Sequence, residues 1–259
     1  MLRWEVVGDT GIMLGEPAAP NEHLAGHVPG FVQRCALPIV VFSGQHAAVR
    51  GTATLLREGE RVFLLTAAHL FDDGVRLGDL ALPLNDSGAW MTLASAQLVR
   101  AADADIALVI PQREQQLALA RSWCAVPLSA VGGAEQVPHD HALHYVAGYP
   151  AALTRRVDEW LVAKRLLVMT RCCQNEDASG PDCRNDLMLD YRRVAARTDG
   201  TAIQTPELEG VSGAAVWRSC EHQGERRLMI VGVQSAFRHN RYMRAQRTAP
   251  MTILHSVRP

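Results

Sequence analysis

Apolar and polar positions from Leu37 onward follow a strand pattern: short runs of β-branched and aliphatic residues between turn signals. The first set predicts strands at Leu37–Ser43, Thr52–Leu56, Arg61–Thr66, Leu93–Arg100 and Ile106–Ile110, with Gly59 marking a hairpin. Pro111 closes that set, and Gln112–Trp123 has the composition of a helix bridging two halves. The second set predicts strands at His144–Gly148, Trp160–Met169, Leu187–Asp190, Ala214–Trp217 and Leu228–Phe237. Many short strands with Gly, Pro, Asn and Asp turns predict an all-β chain built as two barrels of about six strands each. Residues 1–36 show no clear period and read as an N-terminal extension packed on the barrels. Residues 37–127 form the first barrel and 128–259 the second, with residues 171–186 a cysteine-containing loop inserted in it.

Composition narrows the class. With 259 residues, 48% hydrophobic and 20% charged, the chain can bury a real core. A net charge of −1 gives no global attraction to nucleic acid or to an anionic membrane. No apolar run approaches the roughly 20 residues of a spanning helix. The opening Met1-Leu2-Arg3-Trp4-Glu5-Val6 lacks the apolar core of a signal peptide, so a cytoplasmic protein is expected. Six cysteines, at 35, 124, 172, 173, 183 and 220, allow disulfides without showing them, and free thiols are expected. Cys172, Cys173 and Cys183 lack the paired spacing of a zinc site, and no histidine lies in their loop. No metal and no cofactor is expected. Arg238, Arg241, Arg244 and Arg247, with no acid among them, read as a solvated face rather than a nucleic-acid or acidic-partner site.

Three strings carry candidate chemistry: Leu65-Thr66-Ala67-Ala68-His69, Asp105-Ile106-Ala107-Leu108-Val109 and Gly210-Val211-Ser212-Gly213-Ala214. A serine hydroxyl needs a base within reach to become a nucleophile, and the base needs an orienting acceptor. The order His, Asp, Ser is one of three in which such triads occur. A gap of 36 residues separates His69 from Asp105, and a longer one of 107 separates Asp105 from Ser212. Together the strings resemble the histidine, aspartate and nucleophile motifs of the chymotrypsin/trypsin-like serine peptidase family, over roughly Leu37 to Val257. The string Val146-Ala147-Gly148-Tyr149-Pro150 resembles the start of the second barrel in bacterial members.

The resemblance implies a chymotrypsin-like pair of six-stranded antiparallel barrels with the active site in the cleft between them. It implies that Ser212 attacks, His69 transfers the proton and Asp105, rather than nearby Asp103, orients His69. The backbone amides of Gly210 and Ser212 would form the oxyanion hole. Pro206 stands where trypsin itself has its pocket aspartate, so tryptic specificity is not implied. Glu207 and Glu209 fall near the pocket rim, with solvated carboxylates as the competing reading. Ser235, Ala236 and Phe237 fall on the strand that would pair with substrate. Ser235 stands where a family serine bonds the catalytic aspartate, and Phe237 where a glycine admits long side chains; core packing at the strand end is the competing reading. Two departures matter. Val211 replaces the aspartate that pairs with a freshly cut N-terminus in zymogen-activated members, and Leu70 replaces the cysteine that secreted members carry after the histidine.

The expectation is a serine endopeptidase that acts on protein or peptide substrates, without membrane or nucleic-acid binding and with a regulatory protein partner left open. The alternatives are a catalytically silent trypsin-like binding module, or a protease active only when docked to a partner in a signalling or defence system.

Overall fold

A computed structural model of the chain describes residues 2–14, 28–44, 46–85, 87–132, 142–173, 186–197, 200–222, 225–238 and 241–247. The described strands are β1 (Arg3–Met13), β2 (Ala36–Ser43), β3 (His46–Glu58), β4 (Arg61–Thr66), β5 (Leu80–Pro83), β6 (Trp90–Thr92), β7 (Gln97–Arg100), β8 (Ala107–Ile110) and β9 (Val126–Pro127). They continue with β10 (His144–Gly148), β11 (Thr154–Val157), β12 (Trp160–Thr170), β13 (Asp186–Asp190), β14 (Val194–Arg197), β15 (Ala202–Gln204), β16 (Ala215–His222), β17 (Glu225–Arg238) and β18 (Tyr242–Arg247). The described α-helices are α1 (Val28–Cys35) and α2 (Arg113–Ser122).

The fold is mainly β, in two curled sheets. The first has eight strands in the order β6-β5-β2-β3-β4-β8-β7, with β9 added to β3. The second has ten in the order β13-β18-β17-β16-β10-β12-β1-β14-β15, with β11 added to β12. The expected count of about six per half is therefore too low. Several of the added strands have four residues or fewer, too short to show an alternation.

Alternation along the strands divides the core. On β10 and β12, Tyr145, Ala147, Leu167 and Met169 join a cluster shared with the first sheet, including Leu37, Ile39, Leu55 and Leu64. Their neighbours Val146, Leu166 and Val168 point to the other face, into a cluster with Leu187, Leu189, Tyr191 and Val211. A period of two thus gives the second sheet two buried faces, one of them turned to the first sheet.

Of the expected N-terminal extension, residues Arg3–Met13 form a strand of the second sheet. That strand, β1, runs parallel to β12 from Arg3↔Trp160 to Met13↔Met169, and its far edge pairs with β14. Trp4 and Ile12 are buried at its two ends, whereas Val7-Gly8-Asp9-Thr10 in its middle interrupt the apolar pattern. Two further expectations shift. Leu93–Arg100 is strand only from Gln97, because a turn closes Ala96 N–H onto Leu93 C=O. The loop expected at 171–186 lies largely outside the described residues. Among the described residues no helix is long and apolar enough to cross a membrane.

Candidate active site

The ends of three strands converge on one place. His69 sits in the single turn Ala68–Phe71 that follows β4, and Asp105 stands two residues before β8. Strands β4 and β8 are antiparallel neighbours, with Thr66 opposite Ala107, so their adjoining ends meet. The Asp105 carboxylate engages His69 twice. Its Oδ1 accepts the His69 backbone N–H at 2.8 Å, and its Oδ2 lies 2.6 Å from the ring Nδ1. Two bonds from one carboxylate fix both the position of the residue and the rotation of its ring. The His69 and Asp105 side chains keep 37% and 23% of their surface, so the ring remains open to a reactant. Asp103 is exposed and is not the partner.

Ser212 arrives from the second sheet on a tight turn leading into β16. The turn is closed by Val211 N–H to Leu208 C=O and Ala214 N–H to Val211 C=O, each 2.9 Å. It is fastened to β17 by Gly213 N–H to Gln234 C=O at 2.7 Å and by Gln234 N–H to Ala214 C=O at 2.8 Å. It is fastened to the first sheet through Thr52, whose N–H donates to Ser212 C=O at 2.8 Å. The Thr52 hydroxyl donates to Gly210 C=O at 2.8 Å and accepts Tyr149 N–H at 3.2 Å. The Thr52 carbonyl in turn accepts the hydroxyl of Thr66, three residues before His69, at 2.7 Å. Thr52 therefore ties the serine turn to the histidine strand.

Close approach dictates the glycines. At Gly213, φ is +92° and a Cβ would come within 2.1 Å of Thr66 Oγ1 and 2.2 Å of Thr52 O. At Gly51 a Cβ would lie 2.3 Å from Leu70 Cδ1 and 2.9 Å from Ser212 O. Leu70 thus fills the space beside Gly51 instead of offering a thiol. Val211 is buried in the second cluster and packs on Gly148, where a Cβ would meet its Cγ1 at 2.9 Å. No carboxylate is available at Val211 to pair with an ammonium.

The turn leaves two amides uncommitted. Among the described residues neither the Gly210 nor the Ser212 N–H donates a hydrogen bond, while those of Val211, Gly213 and Ala214 do. Gly210 has φ +88°, and a Cβ there would strike Tyr149 O at 2.5 Å. Among the described residues no hydrogen bond joins Ser212 Oγ to His69.

The expected pocket residues fare unevenly. Pro206 has its carbonyl bound by the Tyr191 hydroxyl, whose pKa burial pushes up. Glu207 and Glu209 are exposed, and among the described residues neither forms an ion pair. Among the described residues the Ser235 hydroxyl donates to Arg244 C=O at 3.5 Å and forms no hydrogen bond with Asp105. A register shift between Gln234 and Ala236 on the β18 side turns Ser235 that way. Ala236 and Phe237 are half-buried, and Phe237 packs against the second cluster.

The arginines expected as one solvated face are split. Arg238 and Arg241 are exposed near the β17–β18 turn, while Arg244 is half-buried within 4.0 Å of Asp186. Among the described residues no group of three or more His, Cys, Asp or Glu could hold a metal; Cys183 lies outside them. Sequence reasoning missed Thr52, Gly51, Thr66 and Gln234, which carry the turn. A glycine next to a threonine at the start of the expected Thr52–Leu56 strand was the signal for the first two.

No protein-family model and no curated protein matches the chain.

Proposed function

We propose that the protein is a serine endopeptidase of chymotrypsin-like fold, with the two sheets as its barrels and His69, Asp105 and Ser212 as its triad. The observation that carries this reading is the double engagement of His69 by Asp105, beside a serine turn in which two amides donate no hydrogen bond among the described residues.

In this mechanism His69 Nε2 takes the Ser212 hydroxyl proton as Oγ attacks the scissile carbonyl carbon. Asp105, on Nδ1, keeps the acceptor nitrogen facing the serine and stabilises the imidazolium. The Gly210 and Ser212 N–H groups receive the charge that develops on the carbonyl oxygen. The C–N bond breaks as His69 passes the proton to the leaving amine. Water, deprotonated by His69, then hydrolyses the acyl-enzyme and restores Ser212.

A second reading, a barrel pair that binds without turnover, draws on the missing hydrogen bond between Ser212 and His69. Against it stands the geometry of apo sites, where such bonds are often long and tighten only with substrate.

Digestion of a denatured protein mixture, with new peptide termini identified by mass spectrometry, tests the proposal. Wild type should generate termini with a shared preference, and Ser212→Ala should generate none. Equal cleavage by both proteins would overturn the assignment.

A further inference from the structure

Strand β3 offers one edge to two different segments. Strand β2 covers that edge as far as Ala36↔Thr54. Strand β9 takes it over at Leu56↔Val126, running parallel to β3. The opposite edge of β3 is occupied over Thr54–Glu58 by β4, so β2 and β9 lie end to end along one side. Two cysteines meet where they abut. Cys35, the last residue of α1, immediately precedes Ala36, and Cys124 stands two residues before Val126.

We propose that Cys35 and Cys124 are a dithiol that closes to a disulfide on exchange with a low-molecular-weight disulfide such as oxidised glutathione. Cys35 belongs to the shared apolar cluster and Cys124 packs against that same cluster, so the two thiols lie on one side of the joint. Cys35 is fully buried, so reagent reaches the pair only through half-buried Cys124. The electrostatics agree with that division. The interaction with Cys35 and the Arg34 and Arg57 guanidiniums hold the Cys124 thiol below the usual range, whereas the same interaction and burial push Cys35 up. The thiolate is the attacking form, and Cys124 is the thiol placed to supply it.

The exchange balances in two steps. Cys124 thiolate attacks one sulfur of oxidised glutathione, forming a mixed disulfide and releasing one glutathione thiolate. Cys35 then loses its proton and attacks the Cys124 sulfur, expelling the second glutathione. Two protein thiols are oxidised to one disulfide, and one glutathione disulfide is reduced to two glutathiones. The link would join the end of α1 to the segment after α2 and seal the joint between β2 and β9.

Treatment of the full chain with oxidised glutathione, followed by alkylation and non-reducing tryptic mapping, tests this. The expected product links peptide Cys35–Arg50 to peptide Ser122–Arg155, which contain no other cysteine, with a loss of about 2 Da relative to the two thiol peptides. In Cys124→Ser, Cys35 should remain unmodified and become alkylated only after denaturation. Recovery of both wild-type peptides as alkylated thiols, of Cys124 as a stable glutathione adduct, or of a Cys35 adduct in Cys124→Ser would each overturn the proposal.

Discussion

The hydroxyl of Thr52 donates to the carbonyl of Gly210 at 2.8 Å, joining residues 158 apart in sequence. The donor lies in the first sheet and the acceptor at the mouth of the serine turn. Thr52 is fully buried, so water cannot replace what it supplies. Thr52→Val keeps the shape but strands Gly210 C=O and Tyr149 N–H. The expected loss is about 1–3 kcal/mol of stability for buried groups left unpaired, read from urea unfolding midpoints. Turnover should fall too, because the Gly210 peptide loses its anchor. An unchanged midpoint together with unchanged turnover would show that the turn is held elsewhere.

Gly213 is the tightest point of the site. Gly213→Ala adds a Cβ to a left-handed residue already pressed between Thr66 Oγ1 and the Thr52 carbonyl. Strain alone costs on the order of 1–3 kcal/mol, and the displaced turn would carry Ser212 away from His69. The prediction is a lowered melting temperature with loss of peptide cleavage. Full activity in this variant would mean that the turn relaxes freely.

Asp105 and Asp103 provide an internal comparison. Asp105→Asn retains an oxygen for the His69 backbone N–H but offers an amide to the ring. That favours the wrong tautomer, and kcat should drop on the order of 10⁴-fold with little change in fold. Asp103→Asn changes an exposed side chain and should leave kcat within a factor of two or so. Steady-state kinetics on one peptide substrate distinguishes them, and equal effects would remove Asp105 from its role.

Under the proposed peptidase function, activation by N-terminal cutting is disfavoured twice over. Val211 is buried among apolar side chains and offers no carboxylate to a new ammonium. Strand β1 is embedded in the second sheet between β12 and β14, so trimming it removes a strand rather than freeing a switch. The uncut chain should therefore be active, and deletion of residues 2–14 should lower the melting temperature or abolish folding. Activity confined to a trimmed form, as seen by intact mass, would reverse this conclusion.

Much of the strand order was legible because the apolar runs are continuous and bounded by turn residues. Arg61–Thr66 and His144–Gly148 match their expected bounds, and α2 falls within Gln112–Trp123. Strand β1 was hidden because Gly8, Asp9 and Thr10 break its pattern where a register shift with β12 occurs. Strand β18 was hidden by its arginines, although Met243 and Ala245 alternate with Tyr242, Arg244 and Gln246 in the burial pattern. The pairing of His69 with Asp105 was legible from local strings, since each residue carries its own strand context. The supports were not: Thr52, Thr66 and Gln234 act through contacts distant in sequence that no local pattern encodes. The bond from Ser235 to Arg244 C=O lies at a register shift that counting along a strand cannot foresee.

Labelling of the intact chain with a fluorophosphonate, mapped by tandem mass spectrometry, asks whether Ser212 is an activated nucleophile without knowing the substrate. The phosphonyl group should be found on Ser212 of the wild-type protein and should be lost in Ser212→Ala. It should also be lost in His69→Ala, where Ser212 remains but its base is gone. An unlabelled wild-type protein, or a label of equal yield in all three proteins, would contradict the triad.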